Sequence, residues 1–222
     1  MDCIEFITIS DVHGRFNYVR KINNIKDDAE LLIIAGDITH FGNIEDVIRF
    51  LRKLADLFET ILFIPGNCDP YYALELDNVD GVAINIHGRV YTYKGYYFYG
   101  IGGSNITPFN TYIEFDDEYL ENMINKLDKL VNDYSRTIVI THAPPYNTLD
   151  KTFIGLRVGV KPYTMFLEHR YPILWISGHV HEARGKVKYN KTLIVNPGPF
   201  MKKYYSIIRL CNGSINMELR RF

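Results

Sequence analysis

Short apolar runs punctuate this chain. Ile4–Ile9 (IEFITI), Leu31–Ala35 (LLIIA), Ile61–Ile64 (ILFI), Thr137–Thr141 (TIVIT) and Ile173–Ser177 (ILWIS) are rich in β-branched and bulky residues and are bounded by turn formers. They do not alternate apolar with polar, so both faces are predicted to be buried, as in central strands covered on two sides. Two other segments repeat at helical spacing. In Asn43–Phe58 the residues Val47, Phe50, Leu51, Leu54 and Leu57 share one face, and Asn43 is placed to cap the N-terminus. In Asp116–Tyr134 the residues Leu120, Met123, Ile124, Leu127, Leu130 and Val131 make one stripe, with acids in the first turn where the helix dipole favours them. Three later segments read as hairpins: Gly88–Gly103 turning at Lys94-Gly95, Ala183–Gly198 at Asn190-Lys191, and Lys202–Phe222 at Asn212-Gly213. The tyrosines between Tyr91 and Tyr99 are read as half-buried strand positions in preference to a platform for stacking bases.

Strand alternating with helix early, and antiparallel pairs later, predict a layered α/β (α+β) chain with a mostly parallel region first. Two packed sheets with flanking helices accommodate both. The 222 residues contain no repeat, linker or low-complexity stretch, so a single domain over 1–222 is expected.

Composition narrows the function classes. The net charge is −1, which supplies no basic field for long nucleic acid or an anionic membrane surface. The longest apolar runs are far short of a bilayer span, and the first residues (MDCIEFITIS) lack the pattern of a signal peptide. A cytoplasmic location is therefore expected. Cys3, Cys68 and Cys211 are odd in number and widely spaced with no CxxC. They predict neither a disulfide framework nor a cysteine zinc site, and they suit a reducing interior. Oligomeric state cannot be read from the sequence.

The chemistry lies directly after the five runs. They are followed in turn by Asp11-Val12-His13, Asp37, Asn67, His142 and His179-Val180-His181. Open α/β sheets bind ligands beyond the carboxyl ends of their strands, because the loops converge there. These seven side chains are thus predicted to surround one small volume. Four of the chain's seven histidines belong to the set; His40, His87 and His169 do not. Imidazole and carboxylate with no thiolate required suit manganese, iron, nickel or zinc. Two dications against two carboxylates leave about +2, or about +1 with a bridging hydroxide, a charge that attracts phosphate oxygens. Two ions so placed can clamp the attacking and leaving oxygens of an in-line displacement and supply a nucleophile from bound water. Gly36, Gly66 and Gly178 each precede one of the seven, where a tight turn or close approach tolerates no Cβ. Taken singly, each of these motifs is more often a turn or a cap; the ordered set of five is what points to metal.

The motifs SDVHG (Ser10–Gly14), AGDITH (Ala35–His40), PGNCD (Pro65–Asp69), THAPP (Thr141–Pro145) and SGHVH (Ser177–His181) resemble, in order, those of the calcineurin-like metallophosphoesterase superfamily. NPGP (Asn196–Pro199) is similar to a turn many members carry near the end. HAPPYNTLD and HEARG resemble a prokaryotic branch of predicted phosphoesterases related to cyclic-nucleotide phosphodiesterases. The resemblance implies a four-layer α-β-β-α sandwich, two mixed β-sheets flanked by helices. It also implies a dinuclear site in which Asp11, His13 and His181 bind one ion, Asn67, His142 and His179 the other, and Asp37 bridges them. The cofactors implied are two divalent ions, with manganese favoured, and the substrate is a small phosphate ester, a nucleotide among the candidates.

One position departs from the pattern. Where relatives keep a histidine that contacts the scissile phosphate, this chain has Cys68, so catalysis is assigned to Asp37, Asn67 and His142 with the role of Cys68 open. A thiol is a poor general acid, and members with cysteine here resemble phosphodiesterases more than monoesterases. Hydrolysis of phosphodiesters by a metal-bridging hydroxide is the leading expectation, with a phosphomonoesterase or a non-catalytic scaffold as alternatives. Arg15 is a candidate phosphate contact, Tyr146 a candidate substrate contact, and Tyr71 and Tyr72 candidates for the mouth of the site. Asp69-Pro70 is read as the N-cap and first residue of the following helix.

Overall fold

The structure is a computed structural model that describes residues 3–24 and 29–222. Its first half carries β1 (Cys3–Ile9), α1 (Val19–Asn23), β2 (Leu31–Ala35), α2 (Ile44–Ala55), β3 (Thr60–Ile64), β4 (Asn78–Val79) and β5 (Ala83–Asn85). The middle carries β6 (Val90–Tyr93), β7 (Tyr96–Ile101), β8 (Ser104–Asn105), β9 (Glu114–Phe115), α3 (Asp117–Asn125), α4 (Leu127–Leu130) and β10 (Thr137–Thr141). The last third carries α5 (Lys161–His169), β11 (Leu174–Ile176), β12 (Gly185–Tyr189), β13 (Thr192–Asn196), β14 (Tyr204–Cys211) and β15 (Ser214–Arg221).

Two large sheets result. One is ordered β15-β14-β1-β2-β3-β5-β4, the other β12-β13-β11-β10-β7-β6. Each has a parallel centre and antiparallel margins, because the three predicted hairpins sit at the edges. Lys94-Gly95 and Asn212-Gly213 turn with φ positive at both residues, the conformation that matches strand twist in tight hairpins. The layers explain the two-faced apolar runs. Phe6, Leu31, Ile33, Leu62 and Ile64 face Phe98, Ile138, Ile140, Leu174 and Ile176 between the sheets. The alternate residues Ile7, Ile9, Leu32, Ile34 and Phe63 pack outward against Val47, Phe50, Leu51 and Leu54 of α2. On the other side Val139, Trp175 and Ile194 pack against α3 and α5. This is the four-layer α-β-β-α sandwich. Among the described residues no helix is long and apolar enough to cross a membrane.

Asn43 caps α2 as expected. Its side chain accepts from the Asp46 N–H while Asp46 reaches back to the Asn43 N–H, so two otherwise orphaned donors are satisfied. The second predicted helix is broken: α3 stops at Asn125 and α4 covers one further turn. Leu130 leaves the stripe and is exposed, while Leu127 and Val131 stay buried. The tyrosines of β6 and β7 pack into the layers, and buried Tyr99 donates its hydroxyl to the Met123 carbonyl.

The cysteine reading needs correction. Cys3 and Cys211 form a disulfide. Antiparallel pairing of β1 with β14 sets these two residues directly opposite, with Cα atoms 4.4 Å apart, the spacing of a non-hydrogen-bonded pair. Parity and spacing in the sequence cannot show this, since the partners are 208 positions apart. The bond removes the cysteine argument for a reducing interior. It closes nearly the whole chain into a loop, so its reduction is expected to cost about 2–5 kcal/mol. Urea denaturation with and without dithiothreitol should show a lower midpoint for the reduced protein. Cys3→Ser should reproduce that loss, and an unchanged midpoint in both would refute it.

Candidate dinuclear metal centre

The five predicted strand ends meet, from two sheets. β1, β2 and β3 end beside one another in the first sheet, β10 and β11 in the second. Backbone bonds tie the ends together. The N–H groups of Asp11 and His13 donate to the carbonyls of Gly36 and Asp37 at 3.1 and 2.9 Å, and the Gly178 N–H donates to the His142 carbonyl at 2.9 Å. The turn Asn196–Pro199 buttresses them: the Asn196 amide donates to the Val180 carbonyl at 2.9 Å, holding the loop between the last two histidines.

Asp11, His13, Asp37 and His179 all adopt left-handed backbone, at φ of 54°, 45°, 53° and 65°. That region is costly for non-glycine residues, and such strain gathers where function over-determines the backbone. Close packing accounts for Gly66, where a Cβ would overlap the Asp37 side chain and backbone.

Two ligand-like clusters share Asp37. In one, His13 Nε2 lies 3.1 Å from His181 Nε2 and 3.6 Å from Asp37 Oδ2, and His181 Nε2 lies 3.3 Å from Asp11 Oδ1. In the other, Asn67 Oδ1 lies 2.9 Å from His142 Nε2 and 3.0 Å from His179 Nδ1, and His142 Nε2 lies 3.3 Å from Asp37 Oδ1. Asp11, Asp37, Asn67 and His142 are buried, and His13, His179 and His181 are partly so.

The donor set fits a cation. His142 Nδ1 faces the Ala35 carbonyl at 2.8 Å, an acceptor only, so Nδ1 carries hydrogen. Its Nε2 then points a lone pair, or a second proton, at the oxygens of Asn67 and Asp37. Three acceptor atoms around one point require positive charge between them. Without metal a proton fills that role: burial opposes it, but the carboxylates of Asp37 and Asp11 outweigh burial and hold His142 at about 9. Burial and the charged His142 push His179 down to about 4. Burial would raise the Asp37 carboxyl, yet the neighbouring His142 and His13 hold it well below the usual range.

A family model described as calcineurin-like phosphoesterase matches residues 4–183. The chain belongs to the calcineurin-like phosphoesterase family. Members use divalent metal ions to hydrolyse phosphate esters, and this phosphoesterase presents candidate ligand clusters. An uncharacterised protein of Methanocaldococcus jannaschii, MJ1162, is 36% identical over 210 residues, covering 91% of this chain and 90% of its own length. The fold superposes on a dimetal phosphatase from Danio rerio with a TM-score of 0.68 at 10% identity, covering 98% of this chain and 96% of that one. It also superposes on an archaeal phosphodiesterase with a TM-score of 0.52 at 16% identity, covering 98% of this chain and all of the other.

Other predicted residues of the phosphoesterase fall less centrally. The Arg15 side chain is exposed and makes no hydrogen bond or ion pair with any described residue. The Tyr146 ring lies beside Lys161, and its carbonyl accepts from Thr164 at 2.7 Å, so it is packed under α5 with no bond to the seven. Tyr71 and Tyr72 are exposed on the turn after Pro70. Asp69 is no helix cap. It is fully buried and its carboxylate accepts from the backbone N–H groups of Ile38, Thr39 and Gly66 at 3.0, 2.6 and 2.8 Å, and from the Thr39 hydroxyl at 2.9 Å. It therefore staples the Asp37 loop to the Asn67 loop. Burial and the charge of Asp37 raise its carboxyl to about 6, against the pull of those donors.

Three residues near the site escaped the sequence reading. Thr111 accepts from Asn67 Nδ2 at 2.9 Å and so orients its oxygen inward, and Glu114 in turn grips Thr111. His40 sits with a ring nitrogen within 4.8 Å of both the Cys68 sulfur and a His13 nitrogen. The AGDITH motif already contained His40, three residues after Asp37; Thr111 carries no sequence signal at all. A cavity of about 590 Å³ lined by Lys94, Arg136 and Lys191 lies at the opposite, amino ends of the second sheet and includes none of the seven.

Proposed function

We propose that this chain hydrolyses phosphodiesters in preference to monoesters, with two divalent ions, manganese in the first instance, held by the seven converging side chains. Asp11, His13 and His181 would hold one ion, Asn67, His142 and His179 the other, with Asp37 between. The supporting observation is the acceptor cluster at His142, whose Nδ1 is committed to Ala35 while Nε2 faces two oxygens. When bound, such ions polarise phosphoryl oxygens and bring a water to the pKa at which it can attack. The chain's own contribution is orientation. Ala35 sets the His142 ring, Thr111 sets the Asn67 amide, and the exposed Arg15 guanidinium, without a side-chain partner among the described residues, is the proposed contact to a phosphate oxygen.

The diester preference rests on Cys68. Its thiol is buried beside the site, and burial with the charges of Asp37 and Asp69 pushes it up in the metal-free chain. That makes it a poor acid for a departing alkoxide. A panel of diesters and monoesters assayed with Mn²⁺, Ni²⁺ and Zn²⁺ tests the reading. Cys68→His is expected to raise the monoesterase-to-diesterase ratio by about a hundredfold, the low end of general acid catalysis. An unchanged ratio removes the case for diesters. The placement of His40 favours a second reading, a monoesterase in which His40 supplies the missing imidazole. Loss of monoesterase activity alone in His40→Ala would establish it.

A further inference from the structure

We propose that Phe41 and Tyr112 form an aromatic wall of the substrate cleft, and that the esters taken there carry a planar aromatic or heterocyclic group. This rests on the phosphoesterase reading above and names the substrate class for it.

A ladder of rings leads outward from the metal cluster. His13 and His40 have centroids 5.2 Å apart, His40 and Phe41 5.0 Å, and Phe41 and Tyr112 5.2 Å, each pair edge to face. The outer two rings stand in solvent, with Phe41 43% and Tyr112 51% exposed. Each ring therefore leaves about half of its surface open to a ligand.

The Phe41 backbone is held at a cost. Phe41 has φ of 56°, a left-handed conformation that is an outlier for a bulky residue. Its N–H donates to the Cys68 carbonyl at 3.0 Å, which pins it there. The other non-glycine residues with positive φ among the described residues are Asp, His, Asn and Lys, so Phe41 stands apart as the large apolar one. Tyr112 is fixed from the other side. Thr111 before it accepts from Asn67 Nδ2 at 2.9 Å, and Ile113 after it donates its N–H to the Asn67 carbonyl at 3.2 Å. Glu114 locks the loop by accepting from the Thr111 N–H at 2.9 Å and the Thr107 hydroxyl at 2.6 Å. Both rings are therefore tied to neighbours Asn67 and Cys68, and a ligand phosphate at the metals would bring its organic portion to them. A π-face presented this way accepts a planar group by stacking without reading its edge.

The test compares adenosine 5′-monophosphate with methyl phosphate by titration calorimetry on Mn²⁺-loaded protein, alongside hydrolysis of bis(p-nitrophenyl) phosphate. Wild type is expected to bind the nucleotide about tenfold tighter or more, the scale of one stacked base. Phe41→Gly and Tyr112→Ala should each erase most of that advantage while methyl phosphate affinity holds, and Phe41→Tyr should keep it. Phe41→Gly should also melt at or above the wild-type temperature, because glycine adopts positive φ freely. A ring kept for packing would instead lose stability and affect both probes alike. Equal affinity for the two probes in wild type, or equal loss of both in the variants, overturns the wall and leaves a hydrolysing enzyme intact. Failure of hydrolysis together with failure to bind either probe overturns both the wall and the phosphoesterase reading.

Discussion

Asp37→Ala is expected to lower hydrolysis of bis(p-nitrophenyl) phosphate by on the order of 10³-fold, the scale of losing a preorganised charge at the reacting centre. Metal content measured on the same preparation should fall with it. Asp37 is the side chain common to both clusters, 3.6 Å from His13 Nε2 and 3.3 Å from His142 Nε2. Its position leaves no substitute. It takes the Cys68 N–H at 2.8 Å, and Gly66 packs on it so closely that no other side chain can move in. The variant also strips His142 of its nearest countercharge, so the proton now held on that ring up to about 9 should leave at lower pH. Folding should survive, because no described backbone N–H besides that of Cys68 depends on the lost carboxylate. Retention of metal and full activity in a folded variant would sink the dinuclear reading.

Asp69→Ala should fail differently, through stability. The carboxylate serves three backbone N–H groups and one hydroxyl in a site with no solvent access. Each buried donor left unpaired costs about 1–3 kcal/mol, so the loss of all four pairings should cost on the order of 4 kcal/mol or more. That is a large share of the roughly 5–15 kcal/mol that holds a typical domain together. Urea unfolding is the direct measurement. Because the three N–H groups belong to the Asp37 and Asn67 loops, their release should also loosen the metal cluster, and activity should fall further than the folded fraction does. A midpoint within experimental error of wild type would refute the staple.

Cys68 and Asp69 show how neighbouring residues in one motif divide. PGNCD reads as a unit along the chain, yet Asn67 points its oxygen at two histidines, Cys68 lends its backbone to Asp37 and Phe41, and Asp69 turns back to hold the adjacent loop. An Asp before Pro has an ordinary meaning as a helix cap, and sequence offers no reason to prefer another. The preference comes from three N–H groups that only the folded loops bring to one place.

Sequence alone determined the features whose cause is local. A run with two apolar faces must lie between two layers, whichever layers those are, so the five central strands and the sandwich were legible. A polar residue that ends such a run sits at the carboxyl edge of a sheet, so the convergence of Asp11, His13, Asp37, Asn67, His142, His179 and His181 was legible as well. Asn43 and the turns at Lys94-Gly95 and Asn212-Gly213 specify their geometry within four residues. Tertiary structure decided what depends on distant partners. The pairing of β1 with β14 made a disulfide from Cys3 and Cys211, and the grip of Asn67 on Thr111 set Tyr112 opposite Phe41. Periodicity and spacing report which side of an element is buried. They do not report which strand lies alongside it, and that register is what created the crosslink, the staple and the aromatic wall.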